Sequence, residues 1–244
     1  MKNLSLLLAL LLVSTSSLLA QDNVAKFGLF NLLFRTVNVE YERVINDNQS
    51  VAIQAGVFLP WNNPGGIVES AELEGIALQQ VSMNGFNLTP QYRFYLSQKG
   101  APAGFYIAPY LNLNTVSLRS DFVTTVSDGT QSEQVDATAT LRWLGLGGGV
   151  QLGAQWIISD AFVIDWYFAG LTVRASRISA DIDLETDLEV FTLEDFQDEI
   201  EQGFGDVPLF GDRVITNTEG NRVRISTGYP GLGFRTGLSI GYAF

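Results

Sequence analysis

The sequence contains no histidine and no cysteine, and only three of its 244 residues are lysine. Without cysteine there is no disulfide framework and no thiolate metal site. Without histidine the chain lacks the commonest catalytic base and metal ligand. Its 14 Lys and Arg residues stand against 26 Asp and Glu residues, which argues against a nucleic-acid partner because phosphates need a basic surface. No internal stretch approaches the roughly eighteen apolar residues of a membrane-spanning helix.

Motifs of enzymes are also missing. There is no G-x-S-x-G sequence of the kind that carries a serine nucleophile. The glycine run "GLGGG" at 145–149 follows no strand-helix unit and contains no lysine, so it is not a phosphate-binding loop. We therefore expect a non-enzymatic protein that carries no cofactor.

The first twenty residues have the pattern of a secretory signal peptide. Lys2 gives a positive start, residues 4–13 are an apolar run, and small residues lead to Ala20. Such a run is too short to span a membrane as a helix. We expect cleavage after Ala20, which leaves residues 21–244 as one domain.

Period-two alternation of apolar and polar residues recurs along this domain and predicts β-strands rather than helices. In residues 50–59, for example, Val51, Ile53 and Val57 alternate with Ala52 and Gln54. Eight such strands are expected, and eight is the smallest even number found in single-chain outer-membrane barrels. They lie near 24–34, 36–46, 50–59, 85–97, 103–114, 144–156, 161–171 and 231–244.

The lengths of the connections alternate as well. Short turns follow the second, fourth and sixth predicted strands, whereas long segments follow the third, fifth and seventh, at about 60–84, 119–137 and 179–230. Outer-membrane barrels have short periplasmic turns and longer extracellular loops. The short first connection at Arg35 is the exception. The fold predicted is an all-β, eight-stranded, antiparallel up-and-down transmembrane β-barrel.

The composition of the two faces indicates which one meets lipid. One face of each strand carries Leu, Ile, Val and aromatic residues; the other carries Gly, Asn, Gln, Ser and Tyr. The second set suits a narrow lumen, and the first suits lipid bordered by aromatic girdles. The core of a soluble sandwich is the alternative. Candidate girdle residues are Trp61, Trp156, Trp166, Tyr92 and Tyr242.

Three residues do not fit the predicted strand pattern. Pro90 and Pro109 fall inside predicted strands, where proline removes a ladder donor and calls for a bulge. Trp143 falls in register with the inward-facing Gly145, unless a bulge in 145–149 reverses it.

Charged residues on the predicted lumen face must be paired if the barrel is narrow. We expect them to form a salt-bridge network that plugs the lumen; a gate or narrow ion path is the alternative use of the same side chains. The candidate network consists of Glu40, Glu42, Arg93, Asp165 and Arg235.

The last long segment is strongly acidic. Residues 181–212 hold twelve Asp or Glu and no Lys or Arg. Oxygen ligands at alternate positions form a weak calcium candidate, although the spacing is not that of an EF-hand. Within this segment, Thr192 with Asp195 and a 3.6-residue apolar period predict a short helix over 192–204. The calcium candidates are Asp181, Asp183, Glu185 and Asp187.

Three stretches carry a resemblance to a known family: "VNVEYERVIND", "LTPQYRFYLSQKGAPAGFYIAPYLNL" and the closing "GLSIGYAF". They resemble small outer-membrane β-barrel proteins of Bacteroidota, an uncharacterised family whose architecture is similar to the barrel of outer-membrane protein A. The resemblance implies fold and an outer-membrane location, and it carries over no catalytic residue. In the last strand, Leu238, Ile240, Tyr242 and Phe244 resemble the signal read by the outer-membrane assembly machinery.

The function expected from these observations is structural, or a surface interaction through the acidic extracellular loops. A narrow channel or carrier for a small solute or lipid-like ligand is the alternative, and a loop-borne lipid or peptide hydrolase is a third. The expected partners are outer-membrane lipid, the assembly machinery during biogenesis, and an extracellular partner that the sequence does not identify.

Overall fold

A computed structural model describes residues 22–62, 76–127, 132–159, 161–184, 215–219 and 222–244. These residues form nine strands and one short 3-10 helix at Phe30–Phe34. The strands are β1 (Asn23–Gly28), β2 (Thr36–Asn46), β3 (Gln49–Asn62), β4 (Ile76–Tyr95), β5 (Gly104–Ser127), β6 (Ser132–Ile158), β7 (Phe162–Leu184), β8 (Ile215–Glu219) and β9 (Arg222–Ala243).

Eight of these strands close into a ring. Each of β1 to β7 pairs antiparallel with the next strand of the ring, β9 follows β7, and β9 pairs with β1. At this seam Lys26 lies opposite Gly241, and the backbones of Asn23 and Phe244 exchange hydrogen bonds of 3.0 and 2.9 Å. Within the described residues, the short strand β8 pairs with the first residues of β9 and with no other strand. The predicted eight-stranded, up-and-down barrel is therefore confirmed.

The two ends of the ring differ. The short connections after β2, β4 and β6 lie at one end, together with Asn23 and Phe244; we call this the turn end. The opposite end, which carries the connections after β1, β3, β5 and β7, is called the loop end. The connections therefore alternate between the two ends as predicted, but the predicted alternation of their lengths is wrong at β4 and β5: residues 96–103 follow β4, whereas only residues 128–131 separate β5 from β6.

Side-chain burial follows the predicted faces. Along β3, Val51, Ile53 and Val57 are exposed on the outer wall, whereas Ala52 and Gln54 are buried inside. The predicted girdle residues Tyr92, Trp156, Trp166 and Tyr242 are at least partly exposed on the same outer wall. The side chain of Trp61 lies outside the described residues.

The first predicted strand is wrong in its second half. β1 ends at Gly28, and residues 30–34 form the 3-10 helix, which ends at Arg35 with a left-handed φ of 54°. The sequence "LFNLLF" at 29–34 has consecutive apolar residues, so it offers no period-two face to a sheet. No helix in the described ranges is long and apolar enough to cross a membrane.

Several strands extend much further towards the loop end than expected. β5 continues to Ser127, β6 begins at Ser132, β7 continues to Leu184 and β9 begins at Arg222. The expected loop at 119–137 is therefore largely paired strand, and the described residues at both ends of the expected loop at 179–230 are strand as well. Their Ser, Thr and Asp content suggested a loop, but Thr and Val favour strands when a neighbouring strand supplies hydrogen bonds.

The prolines and Trp143 fit the sheet without the bulges that the sequence led us to consider. Pro90 lies opposite Ile53, and Pro109 lies opposite Val150, with no register shift at either position. The ladder is also regular through residues 143–149, so Trp143 faces the lumen. The register shift of this region lies instead beside Phe168, between Leu152 and Gly153 of β6.

Candidate functional site in the lumen

A cluster of five charged side chains crosses the lumen near the turn end. The Lys26 ammonium lies at its centre, with its side chain fully buried. It donates to Glu40 Oε1 at 2.8 Å, Glu42 Oε2 at 2.6 Å and Asp165 Oδ2 at 2.7 Å. A fourth acceptor, Gln155 Oε1, lies at 2.5 Å. We call Lys26, Glu40, Glu42, Arg93 and Asp165 the charge cluster.

Arg93 contacts the same three carboxylates. Its Nη2 donates to Glu40 Oε1 at 2.7 Å, and its Nη1 to Asp165 Oδ2 at 2.8 Å and Glu42 Oε2 at 3.1 Å. The guanidinium also lies 4.5 Å from the ring centre of Tyr106. Two cations therefore share three anions, and each ion has a partner on more than one strand.

Neutral donors complete the hydrogen bonding of the carboxylates. Tyr95 Oη and Ser50 Oγ each donate to Glu42 Oε1 at 2.6 Å, and Tyr106 Oη donates to Asp165 Oδ1 at 2.8 Å. Gln91 Nε2 donates to Glu40 Oε2 at 2.8 Å. These bonds stabilise the one negative charge that exceeds the two cations, because a buried carboxylate needs its lone pairs satisfied.

The register of the sheet explains why these side chains meet. Lys26 lies opposite Glu40 across β1 and β2, and Asp165 lies opposite Gln155 across β6 and β7. All four side chains point inward at similar height. An eight-stranded ring is only wide enough to be filled by side chains, so residues from opposite walls touch at its centre.

Four of the five predicted network residues, Glu40, Glu42, Arg93 and Asp165, therefore lie together, and the fifth does not. Arg235 lies further towards the loop end, where its Nη2 donates to Gln54 Oε1 at 2.7 Å. Its guanidinium is 4.8 Å from the ring centre of Tyr110 and 4.7 Å from that of Tyr167. Placing Arg235 in the network was wrong because sequence alternation gives the face but not the height of a residue.

Sequence reasoning missed Lys26, the centre of the cluster. The signal that could have found it is present: Lys26 alternates with Phe27 in β1 and lies in register with the buried Val24. A lysine on the inner face of a narrow barrel requires carboxylate partners, which should have placed it in the network.

Comparison with known proteins gives a family. The sequence profile of one family, described as "Protein of unknown function (DUF3575)", matches residues 5–171, which is more than half of the chain. The chain belongs to this family. The expected membership of an uncharacterised family is thus confirmed, while its association with Bacteroidota stays a prediction. No curated protein matches the chain.

Two solved structures are similar. Acinetobacter baumannii CarO2 has 8% identity and a TM-score of 0.37, covering 91% of this chain and 97% of its own. The N-terminal β-barrel domain of Pseudomonas aeruginosa OprF has 12% identity and a TM-score of 0.26, covering 92% of this chain and 98% of its own. The evidence that the DUF3575 chain forms a closed ring is the pairing of its own strands.

A cavity of about 380 Å³ lies on the loop-end side of the charge cluster. We call it the vestibule. Arg174 and Arg235 lie in it beside Trp143, Tyr167 and Gln54. The remaining polar side chains that line it are neutral, namely Asn31, Asn38, Asn87, Asn112, Asn114, Thr89, Thr172 and Thr236.

The calcium candidates are only partly described. Asp181 accepts hydrogen bonds from Arg142 Nη1 at 3.0 Å and from Arg224 Nε, so its two oxygens are engaged by cations. Glu185 and Asp187 lie outside the described residues, as do the predicted signal peptide and the predicted helix over 192–204. In the described ranges, no group of three or more His, Cys, Asp or Glu residues is placed to hold a metal ion.

Replacing Arg93 by Met should strongly destabilise the barrel, because Lys26 alone would then face three buried carboxylates. Breaking one partner of a buried ion network typically costs about 3–5 kcal/mol. Urea unfolding of the refolded protein in detergent micelles, followed by tryptophan fluorescence, measures this change.

Arg119→Met is the matched control for that measurement. Arg119 pairs with Asp121 at 3.2 Å, but its side chain is 59% exposed, so its loss should cost under about 1 kcal/mol. Equal effects of the two substitutions would show that the charge cluster contributes nothing beyond an ordinary surface pair.

Proposed function

We propose that the protein is a non-enzymatic, closed β-barrel of the outer membrane, with a structural or surface-interaction role. The observation that carries the location is the inversion of its two faces. The outer wall exposes large apolar side chains, such as Leu171 at 70% and Leu232 at 86%, whereas the interior holds the buried ions. A soluble barrel has the opposite arrangement, and such extensive apolar exposure is rare on soluble monomers.

The height of the apolar wall supports this location. On β3 the outward apolar side chains run from Val51 to Leu59, and on β7 from Phe162 to Val173. At about 3.3 Å per residue and a tilt near 40°, these spans cover roughly 20 to 30 Å along the barrel axis. The apolar band of outer-membrane barrels is about 25 Å tall.

The charge cluster favours a closed barrel over a channel. Lys26, Arg93 and three carboxylates fill the section of the lumen, and their contacts of 2.6–3.1 Å leave no room for a water column between them. The same pairing argues against catalysis at this place, because a general base needs a carboxylate that is free to take a proton.

The strands that project beyond the apolar wall support a surface role. β6, β7 and β9 are joined there by Asp181, which bonds to Arg142 of β6 and Arg224 of β9. Asp181 is also the first residue of the acidic segment, which therefore begins within the last residues of β7. We propose that this end faces the cell exterior and that the acidic segment meets an extracellular partner.

The closed lumen predicts that purified protein in a planar bilayer shows no conductance steps. A large-pore barrel reconstituted in the same way is the positive control. Replacing Arg93 and Glu42 together by Ala removes one charge of each sign and leaves a gap across the lumen, so steps should appear only in that variant. Regular steps from the unmodified protein would instead support the narrow-channel alternative.

The last strand is proposed to act as the assembly signal, with Leu238, Ile240, Tyr242 and Phe244 on its outer or terminal positions. The backbone of Phe244 pairs with Asn23 whatever its side chain, so Phe244→Ala should leave refolding in detergent unchanged. The same substitution should reduce the amount of protein inserted in the outer membrane of cells, because the assembly machinery would lose its terminal aromatic contact.

Phe162→Ala is the control, since Phe162 is an exposed aromatic at the same end and lies opposite Tyr242. Cell fractionation, with unheated gel mobility to detect folded barrel, compares the two variants. Normal insertion of Phe244→Ala would contradict the assembly signal and leave the fold unaffected.

A further inference from the structure

We propose that the vestibule is a binding site for a small polar organic anion, of the size and chemistry of a sugar acid. This inference goes beyond the closed-barrel function, because the site lies entirely on the loop-end side of the charge cluster. Its volume of about 380 Å³ corresponds to about a dozen waters at roughly 30 Å³ each. A monosaccharide with a carboxylate fits within this space.

Charge is the first argument. Arg174 and Arg235 carry two positive charges into the vestibule, and none of the described residues lining it is Asp or Glu. Neither guanidinium forms an ion pair within the described part of the chain, in contrast to Lys26 and Arg93. A guanidinium in a confined space favours an oxyanion, which it can bind through two parallel hydrogen bonds.

Unused hydrogen-bond donors are the second argument. Arg174 Nε and Arg235 Nη1 are buried and have no acceptor among the described residues. A buried donor without an acceptor is costly, so the protein alone leaves the hydrogen bonding of both guanidinium groups incomplete. Asn87 Nδ2 donates to Asn38 Oδ1 at 3.2 Å, which leaves Asn38 Nδ2 as a donor and Asn87 Oδ1 as an acceptor for hydroxyl groups of a sugar in the same cavity.

The two guanidinium groups are held in place from several sides. Arg235 stacks against Tyr110 and Tyr167, and Arg174 lies 5.6 Å from the ring centre of Trp143. The Arg174 guanidinium occupies space that is free because residue 233 is glycine. A Cβ at Gly233 would lie 1.8 Å from Arg174 Nη2. The position of this group therefore depends on a glycine of the neighbouring strand.

Isothermal titration calorimetry on the refolded full chain in micelles tests the proposal with glucuronate as the probe. Glucose and glucosamine serve as its neutral and cationic counterparts, and glucose 6-phosphate tests whether a phosphate replaces the carboxylate. Glucuronate should bind, added salt should weaken the binding, and glucose and glucosamine should bind at least tenfold more weakly. Equal binding of glucose and glucuronate, or no binding of either anion, would overturn the proposal.

Arg174→Gln should weaken glucuronate binding about 10- to 100-fold, the effect of losing a charged hydrogen bond. This variant should keep the barrel intact, because Arg174 forms no ion pair within the described residues and glutamine retains its Cβ and Cγ. Gly233→Ala should displace the Arg174 guanidinium and weaken binding as well. Gly231→Ala is the matched control on the same strand, since its added Cβ would make only an ordinary van der Waals contact, 3.7 Å from Arg174 Cγ. Unchanged affinity in Arg174→Gln and Gly233→Ala would contradict the site.

Discussion

Lys26 and Arg93 share three carboxylates at the centre of the ring, and each ion is stable there only because the others are present. A lone ion buried in such surroundings would cost several kcal/mol. The network draws its members from β1, β2, β4 and β7, so it forms only when the ring is closed. The sheet therefore closes and the interior charges are paired in the same step. Because the charges pair in one register of the strands, the charge cluster helps to determine that register.

The inner and outer walls depend on this arrangement in different ways. The lumen is filled with ionic and amide side chains, so the apolar side chains of the strands lie on the outer wall. Contact of this wall with water is unfavourable, whereas contact with a nonpolar environment is favourable. The seam between β1 and β9 pairs the two strands that would otherwise be the edges of the eight-stranded sheet, which is consistent with the proposed membrane location. The same ring separates the plugged turn end from the vestibule at the loop end, so one lumen holds a paired and an unpaired set of charges.

Alternation and connection length were sufficient to predict the ring, its strand number and the faces of individual residues such as Val51 and Gln54. They did not predict how far strands run, because Ser and Thr in β5 and β6 belong equally to loops and to paired strands. The height of an inward-facing side chain along the barrel axis also could not be predicted from the sequence. It depends on stagger between strands and on the register shift beside Phe168, and this is why Arg235 was assigned to the charge cluster. Lys26 was missed for a different reason, since its inward position could be read from the alternation in β1 but was not used.

A double-mutant cycle between Lys26 and Glu42 tests most directly whether the charge cluster stabilises the barrel as one network. The free energy of unfolding would be measured for Lys26→Met, Glu42→Gln, their combination and the unmodified protein. Lys26→Met leaves three buried carboxylates with one cation, and in the double variant Glu42→Gln removes one of those uncompensated charges, so the pair should be less destabilised than the sum of the singles by about 2 kcal/mol or more. Additive effects within about 0.5 kcal/mol would contradict the central role of the network.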